Sequence, residues 1–150
     1  MEQAKVIDGR RPAAELRASI AARVEGLLAE GGKAPGLAAV LIGDDPASRV
    51  YAGQKEKACR EVGFKFSFHD LPAEAGTGML VDLLGGLSED PDVHGILVEF
   101  PVPGHIDWAT AVMAMSAEKD VDGVHPLNLG RLMMGLGTVV PCTPRGAMYL

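Results

Sequence analysis

Residues Leu41–Gly63, LIGDDPASRVYAGQKEKACREVG, read as the end of a strand, a turn and a helix, and the rest of the chain is organised around them. Asp45 is placed to cap the helix, and Pro46 fills its first position, where a missing N–H costs nothing. Gly63 ends it, since glycine readily takes the left-handed conformation that closes a helix. At about 100° per residue, Ser48, Tyr51 and Lys55 fall within roughly 60° of arc, so a hydroxyl, a phenol and an amine share one face. Two readings of that face stay open from these residues alone. It is an active-site face, or an ordinary solvated one on which Tyr51 is a half-buried aromatic and Lys55 a surface charge.

Immediately upstream, LAAVLI (37–42) is an unalternating apolar run of the kind found in strands covered on both faces. Before it, RPAAELRASIAARVEGLLAEGG (11–32) repeats Leu16, Ile20, Val24, Leu27 and Leu28 at helical spacing, which predicts an amphipathic helix with those residues inward. Downstream, KFSFHDL (65–71) alternates as a second strand. GTGMLVDLLGGLSED (76–90) carries a third helix with Leu80, Leu83, Leu84 and Leu87 inward, and HGILVEF (94–100) is a third short strand. The order strand, helix, strand, helix, strand predicts an α/β fold: a three-layer, open, mainly parallel sheet with helices on both faces and right-handed crossovers. IDWATAVMAMS (106–116) reads as helical. AEKDVDGVHPLNLGRLMMG (117–135) packs charged and polar side chains without periodicity, so it reads as an irregular binding loop.

A chain of 150 residues with 47% hydrophobic content is long enough for one compact core and short for two. A formal charge of −6 and a pI near 5.1, without a basic cluster, argue against nucleic acid or an anionic membrane as partner. No apolar run approaches the roughly 20 residues that span a bilayer, and the first dozen residues lack the basic-then-apolar order of a signal peptide, so a cytoplasmic protein is expected. Cys59 and Cys142 are far apart and outside any CxxC pair, so both are expected to be reduced thiols.

In an open parallel sheet, ligands bind beyond the carboxyl ends of the strands. The first strand leads there into Ser48, Tyr51 and Lys55, and the third into Glu99, Phe100, Pro101, Val102 and Pro103, so one rim is expected to gather both sets with Asp122 beside them. Asp120, Asp122 and His125 can be drawn as a metal site, but no further ligands converge and no metal is expected. His69, His94 and His105 are isolated. Trp108 reads as a packing anchor, and Met113, Met115, Met133 and Met134 as core or subunit-contact filler. Lys57 leaves Tyr51's face of the helix and is expected to point elsewhere.

The segments GDDPASRVYAGQKEKA (43–58), GILVEFPVPGHI (95–106), KDVDGVHPLNLGRL (119–132) and PCTPRG (141–146), in this order, resemble the bifunctional methylenetetrahydrofolate dehydrogenase/methenyltetrahydrofolate cyclohydrolase family, commonly called FolD. The resemblance runs from about Val6 to the last residue. It implies oxidation of 5,10-methylenetetrahydrofolate with NADP or NAD, and hydrolysis of the methenyl product to 10-formyltetrahydrofolate. It also implies a folate-binding catalytic domain over 1–140, the start of an inter-domain helix over 141–150, and a dinucleotide-binding half that this sequence does not contain. NADP would be bound mainly by that half, in a protein expected to be a homodimer.

Carried over position by position, the resemblance makes Lys55 the catalytic lysine and Tyr51 the aromatic that stacks on the folate and orients it. Asp122 would hold the pterin, Ser48 would be a polar neighbour, and Pro101, Val102 and Pro103 would wall the pocket. These residue types suit the chemistry: an amine can move the proton when water adds to the methenyl carbon, and a carboxylate can accept from the pterin's amino and ring N–H groups. One position departs from the family pattern. Glu99 stands where the family usually has glutamine, and an ionised carboxylate near Lys55 would favour the ammonium, which is a poor base. The alternatives are therefore a dehydrogenase with impaired cyclohydrolase activity, a Glu99 that is protonated or turned away, or a non-catalytic folate-binding module.

Overall fold

The computed structural model describes residues 6–150, so the first five residues of the 1–140 segment lie outside it. Strands β1 (Gly36–Ile42), β2 (Lys65–Leu71) and β3 (Gly95–Val98) form one parallel sheet in the order β2-β1-β3. Helices α1 (Arg10–Ala29), α2 (Pro46–Val62) and α3 (Thr77–Glu89) alternate with them. The shorter α4 (Trp108–Val112), α5 (Pro126–Met133) and α6 (Cys142–Tyr149) follow.

β1 is central because it can be buried on both sides: Ala38, Ala39, Val40 and Leu41 are wholly inaccessible. Alternate residues point to opposite faces. Ala38, Val40 and Ile42 join Leu80, Leu84 and Leu87 of α3, Ile96 and Val98 of β3, and Ala111 and Val112 of α4 in one core. The opposite face carries Ala39, Leu41 and Leu97, and α2 supplies the buried Ala52, Cys59 and Val62. Each large aliphatic side chain fully removed from water contributes about 1.5–3 kcal/mol. β2 is one of the two edge strands and keeps its alternating, half-exposed pattern.

Several expectations need correction. Of the five apolar residues assigned to the inner face of α1, only Val24 is buried; Leu16, Leu27 and Leu28 are exposed, because α1 rests on α2 rather than on the sheet. In α3, Leu83 is only half-buried. The stretch 106–116 is helical only from Trp108 to Val112, starting at an Asp107 cap whose side chain accepts from the Thr110 N–H. Met115 is in the core, whereas Met113, Met133 and Met134 are exposed. Residues Pro126–Met133, assigned to an irregular loop, form α5, with the His125 ring Nδ1 accepting from the Leu127 N–H and Pro126 in the first turn. The periodicity was absent because the inward-facing residue of α5 is Asn128, a buried polar residue.

Gly36 lies where the start of β1 meets the approach to β3. Its N–H donates to His94 Nδ1 at 3.1 Å, and its carbonyl accepts from the His94 N–H at 2.8 Å. A Cβ here would sit 2.1 Å from the Asp92 carbonyl oxygen, a backbone atom that cannot move aside without displacing the strand. Gly36→Ala is accordingly expected to cost about 1–3 kcal/mol. Chemical denaturation of the two proteins measures it, and a variant as stable as the parent would show that the strand shifts freely.

Candidate active site

The site is assembled where β1 and β3 end. After Ile42 the chain turns at Gly43, whose φ of +93° is a left-handed conformation suited to glycine, and whose N–H donates to the Leu71 carbonyl. Asp45 then caps α2: its Oδ2 accepts from both the Ser48 N–H and the Ser48 hydroxyl at 2.7 Å. The Ser48 hydroxyl and N–H hold the Asp45 carboxyl below the usual carboxylate range. A depressed carboxylate contributes stability above its unfolded value, so this cap weakens only as pH falls through the lowered range. Ser48 Oγ also lies 3.2 Å from the Phe100 carbonyl, so a buried hydroxyl ties the start of α2 to the segment leaving β3.

That segment presents Glu99. Its N–H donates to the Val40 carbonyl, which continues the sheet pairing one residue beyond β3 and fixes where the side chain emerges. The carboxylate is buried and faces α2, where the Lys55 Nζ lies 2.8 Å from each of its two oxygens. Glu99 is thus not turned away. The Lys55 side chain is 35% exposed, against 8% for Glu99, so the amine sits at the mouth and the carboxylate beneath it. Lys55 Nζ is 5.8 Å from the Tyr51 ring centroid, within cation–π range. Tyr51 itself is 59% exposed, leaving a ring face open to a flat ligand. Helix phase explains the difference: Ser48 and Lys55 follow the stripe of buried Ala52 and Cys59, and Tyr51 lies at its border.

Beyond a cis Phe100–Pro101 bond the chain passes Pro101, which is exposed, and Val102, which packs part of its side chain against the core. Phe100 meets Trp108 edge to face, with centroids 4.9 Å apart. Trp108 and the half-buried Asp122 border a depression of about 370 Å³ with Gly123, Val124, Pro141 and Cys142. Although Cys142 is a surface residue, partial desolvation of its thiol and the Asp122 carboxylate push that thiol up, while the Arg145 and Lys55 charges act in the opposite direction. Lys55 does not line this depression. Tyr51 and Lys55 line a second shallow depression of about 390 Å³ with Arg17, Gln54 and Ala58. Lys57 borders it too, so it does not point wholly elsewhere, although it makes no ion pair among the described residues. Larger grooves, of about 620 and 580 Å³, run along α1 and exclude Lys55, Glu99 and Asp122.

Asp120 and His125 are engaged in the fold. Asp120 accepts five N–H groups, and the His125 ring caps α5. Both cysteines are free thiols, Cys59 buried and Cys142 exposed. No helix among the described residues is long and apolar enough to cross a membrane.

The turn that leaves β1 does not fit a dinucleotide. The first strand-to-helix turn reads Gly43-Asp44-Asp45-Pro46, in which Pro46 removes a donor and the Asp45 carboxylate already occupies the helix terminus that a pyrophosphate needs. Two carboxylates there would repel the phosphates as well.

Comparison with known proteins bears on the family and the fold. The profile of the tetrahydrofolate dehydrogenase/cyclohydrolase catalytic domain matches residues 7–122. The chain is 50% identical over 144 residues to "Bifunctional protein FolD 2" of Rhizorhabdus wittichii, covering 96% of this chain and 48% of that protein. It is 48% identical to "Bifunctional protein FolD" of a Caulobacter species, covering 100% of this chain and 50% of the relative. Among solved structures, the Trypanosoma brucei methylenetetrahydrofolate dehydrogenase-cyclohydrolase, complexed with NADP cofactor and inhibitor, superimposes with a TM-score of 0.94 at 33% identity. That match covers 99% of this chain and 51% of the other. The Campylobacter jejuni bifunctional enzyme gives 0.89 at 38% identity, over 94% and 50%. The chain spans about half the length of the curated relatives it matches.

Proposed function

The chain belongs to the tetrahydrofolate dehydrogenase/cyclohydrolase family, and we propose that its cleft is the folate site of an enzyme of one-carbon metabolism. The enzyme oxidises 5,10-methylenetetrahydrofolate with NADP and hydrolyses the methenyl product to 10-formyltetrahydrofolate. The observation that carries this reading is the amine of Lys55, held by both oxygens of Glu99 beside an open Tyr51 ring.

In the hydrolytic step, water adds to the methenyl carbon, and one of its protons goes to Lys55 when that residue is the free amine. The adduct then opens at one carbon–nitrogen bond: Lys55 returns its proton to the departing nitrogen, and the adduct's hydroxyl gives up its own to solvent as the formyl C=O forms. Tyr51 offers a flat, fixed surface to the aromatic part of the folate, and Asp122 accepts from the pterin's amino and ring N–H groups. Pro101 and Val102 wall the site, and Ser48 holds the α2 terminus against Phe100. NADP is assigned to a domain outside these residues. A homodimer and a cytoplasmic setting go with this reading through the family resemblance.

A second reading has an observation in its favour. Glu99 engages Lys55 with both oxygens at 2.8 Å, and an amine clamped in such an ion pair is less free to take a proton from water. The enzyme would then oxidise methylenetetrahydrofolate efficiently and hydrolyse the product slowly.

Calorimetric titration of the 150-residue chain tests the division of labour. A saturable isotherm with a tetrahydrofolate is expected and none with NADP. Micromolar NADP binding, or no folate binding at millimolar concentration, would overturn it.

A further inference from the structure

We propose that Asp120 is a positioning residue for folate binding, acting through Asp122. The inference rests on the folate reading of the cleft and assigns a role to a residue that reading leaves unused.

Asp120 is 1% exposed, and both of its carboxylate oxygens are filled by N–H donors from the loop that follows it. Oδ1 accepts from the backbone N–H groups of Asp122 at 3.3 Å, Gly123 at 2.9 Å and Val124 at 3.2 Å. Oδ2 accepts from the His125 N–H and the Asn128 side-chain amide, both at 2.9 Å. The backbone around Asp120 is tied to the sheet edge by pairing with Ile96, next to β3. One anion therefore gathers four consecutive backbone N–H groups and the Asn128 amide, and ties the loop to the sheet edge beside Glu99.

The loop has a second anchor. Asn128, itself buried, donates to the Ala117 carbonyl and accepts from the Thr138 hydroxyl at 2.9 Å, which joins the loop to the approach to α6. Gly123 takes a φ of +70°, and a Cβ there would press on the Val139 carbonyl and Pro141. Asp122, between these constraints, has its backbone N–H held by Asp120 while its carboxylate stays half-exposed. Accurate placement of that carboxylate matters, because a two-point contact with a planar ring is lost with small displacements.

Asp120→Asn replaces one acceptor oxygen by an amide donor, which would face other N–H groups and release part of the loop. The test is a double-mutant cycle with Asp122→Asn in the full-length gene product, reading the dissociation constant for a tetrahydrofolate and the midpoint of thermal unfolding. Asp120→Asn is expected to weaken folate binding by roughly tenfold in the parent, and to have little further effect once Asp122 is already asparagine. Equal losses in both backgrounds, or unchanged folate affinity in folded Asp120→Asn protein, would overturn the proposal. If Asp120→Asn does not fold, Asn128→Ala removes one of the five bonds and is put through the same cycle with the same criteria. Unchanged affinity in Asp122→Asn alone would instead refute the folate role of Asp122.

Discussion

Lys55→Met is expected to lower methenyltetrahydrofolate hydrolysis by about 10²–10⁴-fold, the range that a positioned general acid–base contributes. Methionine retains the length and apolar stem of lysine, so the stripe against Ala52 and Cys59 stays filled while the proton-transferring group is lost. The substitution also leaves the Glu99 carboxylate buried without its cation. Removing one partner of a fully buried pair costs about 3–5 kcal/mol, and less is expected here because the Lys55 side chain is 35% exposed. Loss of turnover and loss of stability must therefore be separated. The double variant Lys55→Met, Glu99→Gln removes both charges, and it is expected to recover stability without recovering turnover. Hydrolysis followed by absorbance, with unfolding midpoints measured alongside, decides the matter. A Lys55→Met protein that hydrolyses within a factor of a few of the parent would place the proton transfer elsewhere.

Much of this site was legible in the residues. Asp45, Pro46 and Gly63 punctuate α2 by local chemistry alone, and the helix phase then puts Ser48, Tyr51 and Lys55 together without tertiary information. The apolar run of β1 announced a strand covered on both faces, and all four of its inner residues are fully buried. What the residues did not disclose was set by tertiary hydrogen bonding. Asp120 has the same letter as a solvated surface aspartate, and only the folded loop shows five donors converging on it. α5 escaped for the same reason, since its buried contact is made by an asparagine amide rather than an aliphatic side chain. α1 erred in the other direction: its periodicity is genuine, but an apolar stripe does not reveal what, if anything, covers it.

Glu99→Gln is expected to raise cyclohydrolase turnover by on the order of tenfold near neutral pH. In the parent, both carboxylate oxygens lie 2.8 Å from the Lys55 Nζ, so the amine is clamped in a two-oxygen ion pair. A neutral amide still accepts a hydrogen bond from the lysine and occupies nearly the same volume, but it no longer clamps the amine in an ion pair. The amine is then freer to take the proton of the attacking water. Dehydrogenase activity, which needs no base at this position, is expected to change little.

The direct measurement is the rate of methenyltetrahydrofolate hydrolysis at neutral pH for the parent and Glu99→Gln in the full-length gene product, corrected for the spontaneous reaction. A faster variant is the result expected if the Lys55–Glu99 pair governs proton transfer at the folate. Equal rates would contradict it.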